Sequence, residues 1–234
     1  MGETVAVVPA RGGSKGIPRK SIAQVAGRPL LAWTAEAALA TPGLDRVLLS
    51  TDDDEIAGVG ESLGLAVPFR RPAELASDDA PMTAVTAHAL AWCMAQGIDV
   101  DVVVLLQPTS PLRRAEHITG ALDLLASSDA ESVVSVVEVP HQYNPVSVLR
   151  RDGAGLLERW DATGPLVTRR QDKPSVYARN GPAIVANRAA VVARGDAYGD
   201  PLAGYLMSAN DSFDIDEPDD LFLVDLLLRH RRGA

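Results

Sequence analysis

Short apolar runs alternate with longer amphipathic stretches over the first 140 residues. Residues 5–8 (VAVV) are mostly β-branched, apolar on both faces and too short for a helix. They read as a buried strand of a parallel sheet. Residues 30–40 form an Ala-rich helical stretch with Pro29 at its start, and residues 46–50 (RVLLS) a second strand that closes on Thr51-Asp52-Asp53. A helix over 54–63, stopped by Gly64, precedes a short strand over 65–69. Pro81 opens a helix to about residue 96, with Gly97 as its stop. Residues 102–106 are a strongly apolar strand, 116–126 a helix and 132–139 another strand. This alternation predicts an α/β chain with a mostly parallel sheet. From 140 to 182 the pattern breaks into mixed charges, prolines, glycines and short apolar pairs that still carry Trp160 and Tyr177. That piece reads as a hairpin excursion, within a single domain spanning 1–234, that packs on a partner subunit. A strand over 183–186, a short helix over 188–193 and a last helix over 219–231 complete the chain. Asp216 is the expected N-cap of that helix, with Pro218 in its first turn.

Composition narrows the function. The 234 residues are 47% hydrophobic and 23% charged, enough for one well-formed core. A net charge of −9 argues against a nucleic-acid binder driven by phosphate contacts. The single cysteine, Cys93, excludes a disulfide framework and a cysteine-based zinc site. No apolar run approaches the roughly 20 residues of a membrane span, and the chain enters its first strand without a leader. The expectation is a cytoplasmic protein.

Against this acidic background, one loop is basic. After the first strand the chain reads ARGGSKGIPRK, residues 10–20. Gly12, Gly13 and Gly16 allow backbone N–H groups to turn towards a ligand, while Arg11, Lys15 and Lys20 add cations and Ser14 a hydroxyl. Arg19 stands where a Walker A loop needs glycine, and Arg11 stands at the first glycine of a dinucleotide fingerprint. The loop is a polyphosphate cradle of another kind, or else a solvated turn. Further polar clusters fall at strand ends, where open parallel sheets bind ligands: 50–52, Arg70-Arg71, 107–113 and 214–216. In Asp214-Ile215-Asp216, alternation puts both carboxylates on one face of an extended segment. Two hard oxygens beside a polyphosphate suit Mg²⁺, with Asp52 a second candidate; helix capping is the ordinary alternative for Asp216. His88, His117, His141 and His230 lack metal-ligand spacing, and no Ser/His/Asp arrangement is present. In-line attack on a nucleotide phosphate is the chemistry that remains.

PARGGSKGIPRK, LSTDD, RRPAELASD, LLQPTSPLR and DIDE, in this order, resemble the CMP-N-acylneuraminate synthetase family of cytidylyltransferases over nearly the whole chain. The resemblance implies a Rossmann-like nucleotidyltransferase fold with helices on both faces of the sheet, a homodimer with an exchanged hairpin, Mg²⁺ dependence, and transfer of CMP from CTP to an acidic acceptor with release of pyrophosphate. Carried onto this chain, it implies a triphosphate loop at Ala10, Arg11, Gly12, Gly13, Ser14 and Lys20, followed by Ser21 where the family has asparagine. It places Arg71 near the cytosine, Gln107 against both nucleotide and acceptor, and metal at Asp214 and Asp216. Arg11, Lys20 and these two aspartates are then the catalytic set. Arg179 and Asn180 are implied to lead into the acceptor pocket, with Arg169 and Arg170 reaching it from the dimer partner. The departures lie on the acceptor side: Pro182-Ala183-Ile184 follows Asn180-Gly181 where an aromatic residue is usual, Val146-Ser147 stands where a lysine is common, and a phenylalanine pair before Met207 is missing. The expected acceptor is a small anion: a sialic-acid-like nonulosonic acid, sialic acid itself, or a phosphonate such as phosphonoformate. A non-catalytic nucleotide-binding regulator is the alternative of another class.

Overall fold

Alternate side chains of the first strand, β1 (Glu3–Pro9), enter two different cores. A computed structural model describes residues 2–14, 16–160, 167, 169–181 and 183–233. After β1 come the short pair β2 (Gln24–Val25) and β3 (Arg28–Pro29), then α1 (Leu30–Leu39), β4 (Arg46–Ser50) and α2 (Asp54–Ser62). They are followed by α3 (Met82–Ala95), β5 (Val100–Leu105), α4 (Ala115–Ser127) and β6 (Ser132–Glu138). The excursion holds β7 (Leu149–Arg151), β8 (Leu157–Arg159) and β9 (Tyr177–Arg179). The chain closes with β10 (Val185–Arg188), α5 (Ala189–Ala193), β11 (Leu202–Leu206) and α6 (Pro218–Gly233).

Among the described residues the main sheet runs β11-β6-β10-β5-β1-β4, with β9 added beside β6. It is mostly parallel: β1 pairs in parallel with β4 and β5, and β11 with β6. Strand β10 wedges antiparallel between β5 and β6. Ala6 and Val8 of β1 pack with Leu31, Ile56 and Ile118, so α1, α2 and α4 cover one face. Val7 packs with Ala89, Leu90 and Val192, so α3 and α5 cover the other. Burial on both faces explains why the strands read as unbroken apolar runs.

Register sets the site. Pro9 lies opposite Ser50, and Val7 opposite Leu105, so β1, β4 and β5 end together. The loops that follow them emerge on one edge. Strands β9 and β10 pair with successive parts of β6, Val136 to Glu138 and Ser132 to Val134. Between them Asn180 and Gly181 leave the ladder, and Gly181 (φ +59°) sits so close to Asp214 that a Cβ would lie 2.8 Å from its carboxyl carbon. Glycine is required there by both its backbone angle and its neighbour.

Several expectations shift. Residues 65–69 do not form a strand; they run beside β4 with single bridges at Leu48–Ala66 and Thr51–Arg70. Pro68, without an N–H, interrupts any ladder between those bridges. Asp216 does not cap α6. The Asp220 carboxylate accepts the N–H groups of Asp216 (3.0 Å) and Glu217 (2.8 Å) from inside the helix, which leaves the Asp216 side chain available elsewhere. In the excursion β7 and β8 form a hairpin outside the main sheet, with Leu149, Leu156, Leu157 and Trp160 exposed.

Ile215 is fully buried with Leu30, Leu112 and Val224, and so anchors the segment that carries the two aspartates. Ile215→Ala is expected to lower stability by about 2–5 kcal/mol. Thermal unfolding checks this, as a drop of roughly 5–15 °C for a chain of this size.

Candidate nucleotide-binding cleft

A cleft of about 590 Å³ opens at the carboxyl ends of β1, β4 and β5. Arg11, Ser14, Lys20 and Ser21 line it from the glycine loop, Arg71 from the segment bridged to Thr51 beyond β4, Gln107 from the end of β5, and Asp214 and Asp216 from the C-terminal segment. The N-terminal and C-terminal parts of the site meet directly. The Lys20 ammonium donates to the Ile215 carbonyl at 2.7 Å and lies 3.4 Å from Asp216 Oδ1. Gly16 passes so near that a Cβ would stand 2.6 Å from the Asp216 carbonyl oxygen, so only glycine fits.

The loop is held from outside. Ala10 is buried and its N–H donates to the Ser50 carbonyl. The Gly12 N–H donates to Asp52 Oδ1 at 3.1 Å, so it does not turn into the cleft as its composition suggested. This bond gives Asp52 a part in holding the loop. A Cβ on Gly12 would meet Asp53 Oδ2 at 2.9 Å, whereas Gly13 has open space around it. Arg19, at φ 52°, turns outward to pair with Asp53 (2.6 Å) and Glu55 at the start of α2. Asp53 itself caps α2, accepting from the N–H groups of Glu55 and Ile56. These bonds and Arg19 hold its carboxyl below the usual range.

Two buried guanidinium groups serve the cleft, Arg71 in its lining and Arg113 behind Asp214. Arg71 is 5% exposed, and its hydrogen bonds go to the Ser50 hydroxyl (3.1 Å) and carbonyl. Burial lowers its pKa to about 10, with Asp52 opposing the shift and Arg11 adding to it. It remains a cation at neutral pH, bonded to neutral oxygens inside a ligand-sized space. Arg113 is fully buried, donating to Thr34 Oγ1 (2.7 Å) and to the carbonyls of Gln107 and Ala183. Burial takes it to about 9, and Asp214 opposes that shift. Ser110, also buried, donates to Asp214 Oδ1 at 3.2 Å. Arg113 and Ser110 thus orient and balance the first aspartate. Both sit inside the LLQPTSPLR motif, so the signal was present in the sequence without its role.

Asp78 was not anticipated, although it ends the RRPAELASD motif. It lines the cleft and pairs with Arg11 at 2.6 Å. A polyphosphate entering the cleft would compete with Asp78 for Arg11.

The residues expected around the acceptor divide. Gln107 and Met82 are shared between the cleft and an adjoining pocket of about 230 Å³. Arg179 lines that second pocket, donates to the Tyr198 hydroxyl and places its guanidinium 5.5 Å from the Tyr198 ring centre. Tyr198 had no signal in the sequence. Asn180 is buried, with Nδ2 donating to Ser212 Oγ (3.0 Å) and Met207 Sδ (3.2 Å), and so ties the β9–β10 break to the segment before Asp214. Arg169 is exposed. Arg170 lines a separate cleft with His141 and Lys173. Within one chain the structure therefore does not bring Arg169 and Arg170 to Gln107.

Among the described residues no group of three or more His, Cys, Asp or Glu side chains could hold a metal ion. The two aspartates nevertheless fit Mg²⁺ bound together with a polyphosphate, because that ion commonly takes one or two carboxylates and completes its shell with phosphate oxygens and water.

Residues 5–198 match the family model described as Cytidylyltransferase. The chain belongs to this family. It is 33% identical over 231 residues to CMP-N,N'-diacetyllegionaminic acid synthase of Legionella pneumophila, covering 98% of each chain. It is 33% identical over 223 residues to an N-acylneuraminate cytidylyltransferase of Escherichia coli, covering 94% of this chain and 51% of the relative. The family member described here therefore spans about half the length of that second relative. In three dimensions it resembles CMP:2-keto-3-deoxy-manno-octonic acid synthetase complexed with CTP, at a TM-score of 0.73 and 18% identity, covering 98% of this chain and 99% of the other. That likeness establishes the nucleotidyltransferase fold.

Two outcomes follow from the cleft's charges. Arg71→Leu removes a desolvated cation, so the ligand-free protein should unfold at the same or a higher temperature while nucleotide affinity, read by calorimetry, falls more than tenfold. Asp78→Asn removes the competitor for Arg11. For a half-exposed ion pair worth up to ~1 kcal/mol, inorganic triphosphate should bind up to about fivefold more tightly.

Proposed function

We propose that the protein transfers CMP from CTP to a sugar acid and releases pyrophosphate. The observation that carries this reading is the convergence of Arg11, Ser14, Lys20, Arg71, Asp214 and Asp216 on one cleft at the carboxyl edge of the sheet. Family membership supports the reaction class, and the sugar acids in the relatives' names support the acceptor class. The phosphonate alternative draws no support from these relatives.

In this mechanism Arg11, Ser14 and Lys20 hold the triphosphate, and Arg71, beyond the β4 end, faces the base. The acceptor lies past Gln107, in the pocket with Arg179 and Tyr198. Its hydroxyl oxygen attacks the α-phosphorus in line. The bond from that phosphorus to the β-phosphate oxygen breaks, and pyrophosphate leaves with the electron pair. Among the described residues, the carboxylates that line the cleft and could take the hydroxyl proton are Asp78, Asp214, Asp216 and Glu217. Asp214 and Asp216 would hold Mg²⁺, which supplies charge neutralisation at the phosphates. Lys20, tied to the Ile215 carbonyl, and Arg113 behind Asp214 keep the charges of the cleft in fixed positions, and such reactions depend chiefly on positioning and electrostatics.

The exposed apolar hairpin of β7 and β8 supports a homodimer in which the excursion covers the partner. Arg169 and Arg170 would then reach the acceptor across the interface. The regulatory alternative loses ground because the loop cations and the terminal carboxylates are both in place.

Asp214→Ala should abolish pyrophosphate release from CTP while leaving the circular-dichroism spectrum and unfolding cooperativity intact. Unchanged turnover would remove the metal assignment, and turnover with ATP or GTP but none with CTP would remove the cytidine reading.

A further inference from the structure

The segment that carries Asp214 and Asp216 is anchored differently on its two sides. Downstream, Ile215 is buried and its N–H donates to the Thr109 carbonyl at 2.9 Å. Upstream, the anchor is ionic. Asp211, three residues before Asp214, is 5% exposed, and its carboxylate accepts from two guanidinium groups, Arg114 at 3.1 Å and Arg231 at 2.8 Å. The Ser208 hydroxyl donates a further bond at 2.7 Å. Burial by itself would push the Asp211 carboxyl up; the Ser208 bond and the two arginines outweigh it and hold the group below the usual carboxylate range, ionised at neutral pH. Arg114 sits at the mouth of α4, where it also pairs with Glu116 and where His117 Nδ1 accepts its N–H at 3.1 Å. Arg231 comes from the last turn of α6 and also donates to the Asn210 carbonyl at 2.8 Å.

Two successive arginines of the loop after β5 therefore serve two acids three residues apart: Arg113 stands behind Asp214, and Arg114 holds Asp211. The stretch between is fixed as well, because Ser212 Oγ donates to the Ser208 carbonyl at 2.6 Å and accepts from Asn180. Ala209 and Phe213, the apolar residues between Met207 and Asp214, are exposed, so polar contacts rather than burial hold this stretch. Charge-assisted bonds into a buried carboxylate are directional, whereas apolar packing is not. Asp211, Arg114 and Arg231 all lie outside the lining of the cleft. We propose that Asp211, gripped by Arg114 and Arg231, is a positioning residue for the transfer reaction: it sets where Asp214 and Asp216 present their oxygens and makes the last turn of the C-terminal helix part of the site's support. The inference rests on the transfer reading above for what the two aspartates do, and it adds residues remote from the reacting atoms.

The test measures CTP binding by calorimetry with Mg²⁺ and with EDTA, and pyrophosphate release with N,N'-diacetyllegionaminic acid, N-acetylneuraminic acid and 2-keto-3-deoxy-manno-octonic acid as acceptors in turn. The variants are Asp211→Asn, Arg231→Met and a control, Leu90→Ala, whose side chain is buried against the other face of the sheet. In Asp211→Asn the gain in CTP affinity that Mg²⁺ confers should shrink about tenfold, with a similar fall in kcat, the usual cost of removing a group that orients ligating carboxylates. CTP affinity in EDTA, set by Arg11, Ser14, Lys20 and Arg71, should stay at the wild-type value. Arg231→Met, which leaves Arg114 in place, should lose less in the same direction; it decides the matter by the same readings if Asp211→Asn does not fold. Leu90→Ala should unfold at a lower temperature yet keep the wild-type Mg²⁺ gain. An unchanged Mg²⁺ gain in the Asp211 and Arg231 variants would overturn the inference, as would an equal loss in Leu90→Ala, which would mark the effect as general destabilisation. Wild-type protein whose CTP affinity responds to Mg²⁺ but which releases no pyrophosphate with any of the three acids would overturn the transfer reading, and the binding comparison would still decide whether Asp211 positions the aspartates.

Discussion

The contact between Lys20 and the Ile215 carbonyl joins positions 195 residues apart, and the cleft depends on it. The loop after β1 brings cations, and the segment before α6 brings carboxylates. Neither is a site alone. Two constraints keep them together. Gly16 leaves room for the Asp216 backbone to pass, and Ile215 is driven into the cluster formed by Leu30, Leu112 and Val224. Burial of one isoleucine thereby sets Asp216 beside the Lys20 ammonium and Asp214 against the Ser110 hydroxyl. The hydrophobic effect fixes the geometry, and electrostatics acts on what that geometry presents.

The cleft keeps its charges under tension. Arg71 and Arg113 are guanidinium groups withdrawn from water, and burial lowers the pKa of both. Arg113 is tied by hydrogen bonds to α1, to the start of β10 and to the loop after β5, and it stands behind Asp214. Among the described residues, the Arg71 guanidinium has only the Ser50 hydroxyl and carbonyl. The first arrangement suits a fixed structural charge, the second a charge that completes its shell with a ligand. Such incompletely compensated groups reduce stability in the empty protein and contribute affinity when an anion or a base carbonyl arrives.

Much of the fold was legible because the strands are buried on both faces and the helices on one. That difference shows as continuous runs against amphipathic stretches. The failures were local and have local causes. Pro68 breaks the strand expected at 65–69. The expected Asp216 cap is absent because Asp220, inside α6, reaches back to accept the N–H groups of Asp216 and Glu217 just before the helix. In the site, residue types were readable and their duties were not. Arg19 and Lys20 are adjacent cations of one basic loop, yet one is pinned to Asp53 on α2 and the other points into the cleft.

By itself the sequence determined the alternation of strands and helices, the basic glycine loop at the end of the first strand, and the shared face of Asp214 and Asp216. These are set by neighbours along the chain: β-branched runs, glycine's freedom, and the two-residue period of an extended segment. Only the tertiary structure decided that Asp52 holds the Gly12 N–H, that Asp78 pairs with Arg11, and that Ser110 and Arg113 stand behind Asp214. It also decided that Gln107 faces an aliphatic pocket holding Arg179 and Tyr198, while Arg170 lies in another cleft. The physical reason is the same in each case: these contacts join segments tens to hundreds of residues apart, and packing of the whole sheet selects which polar groups meet.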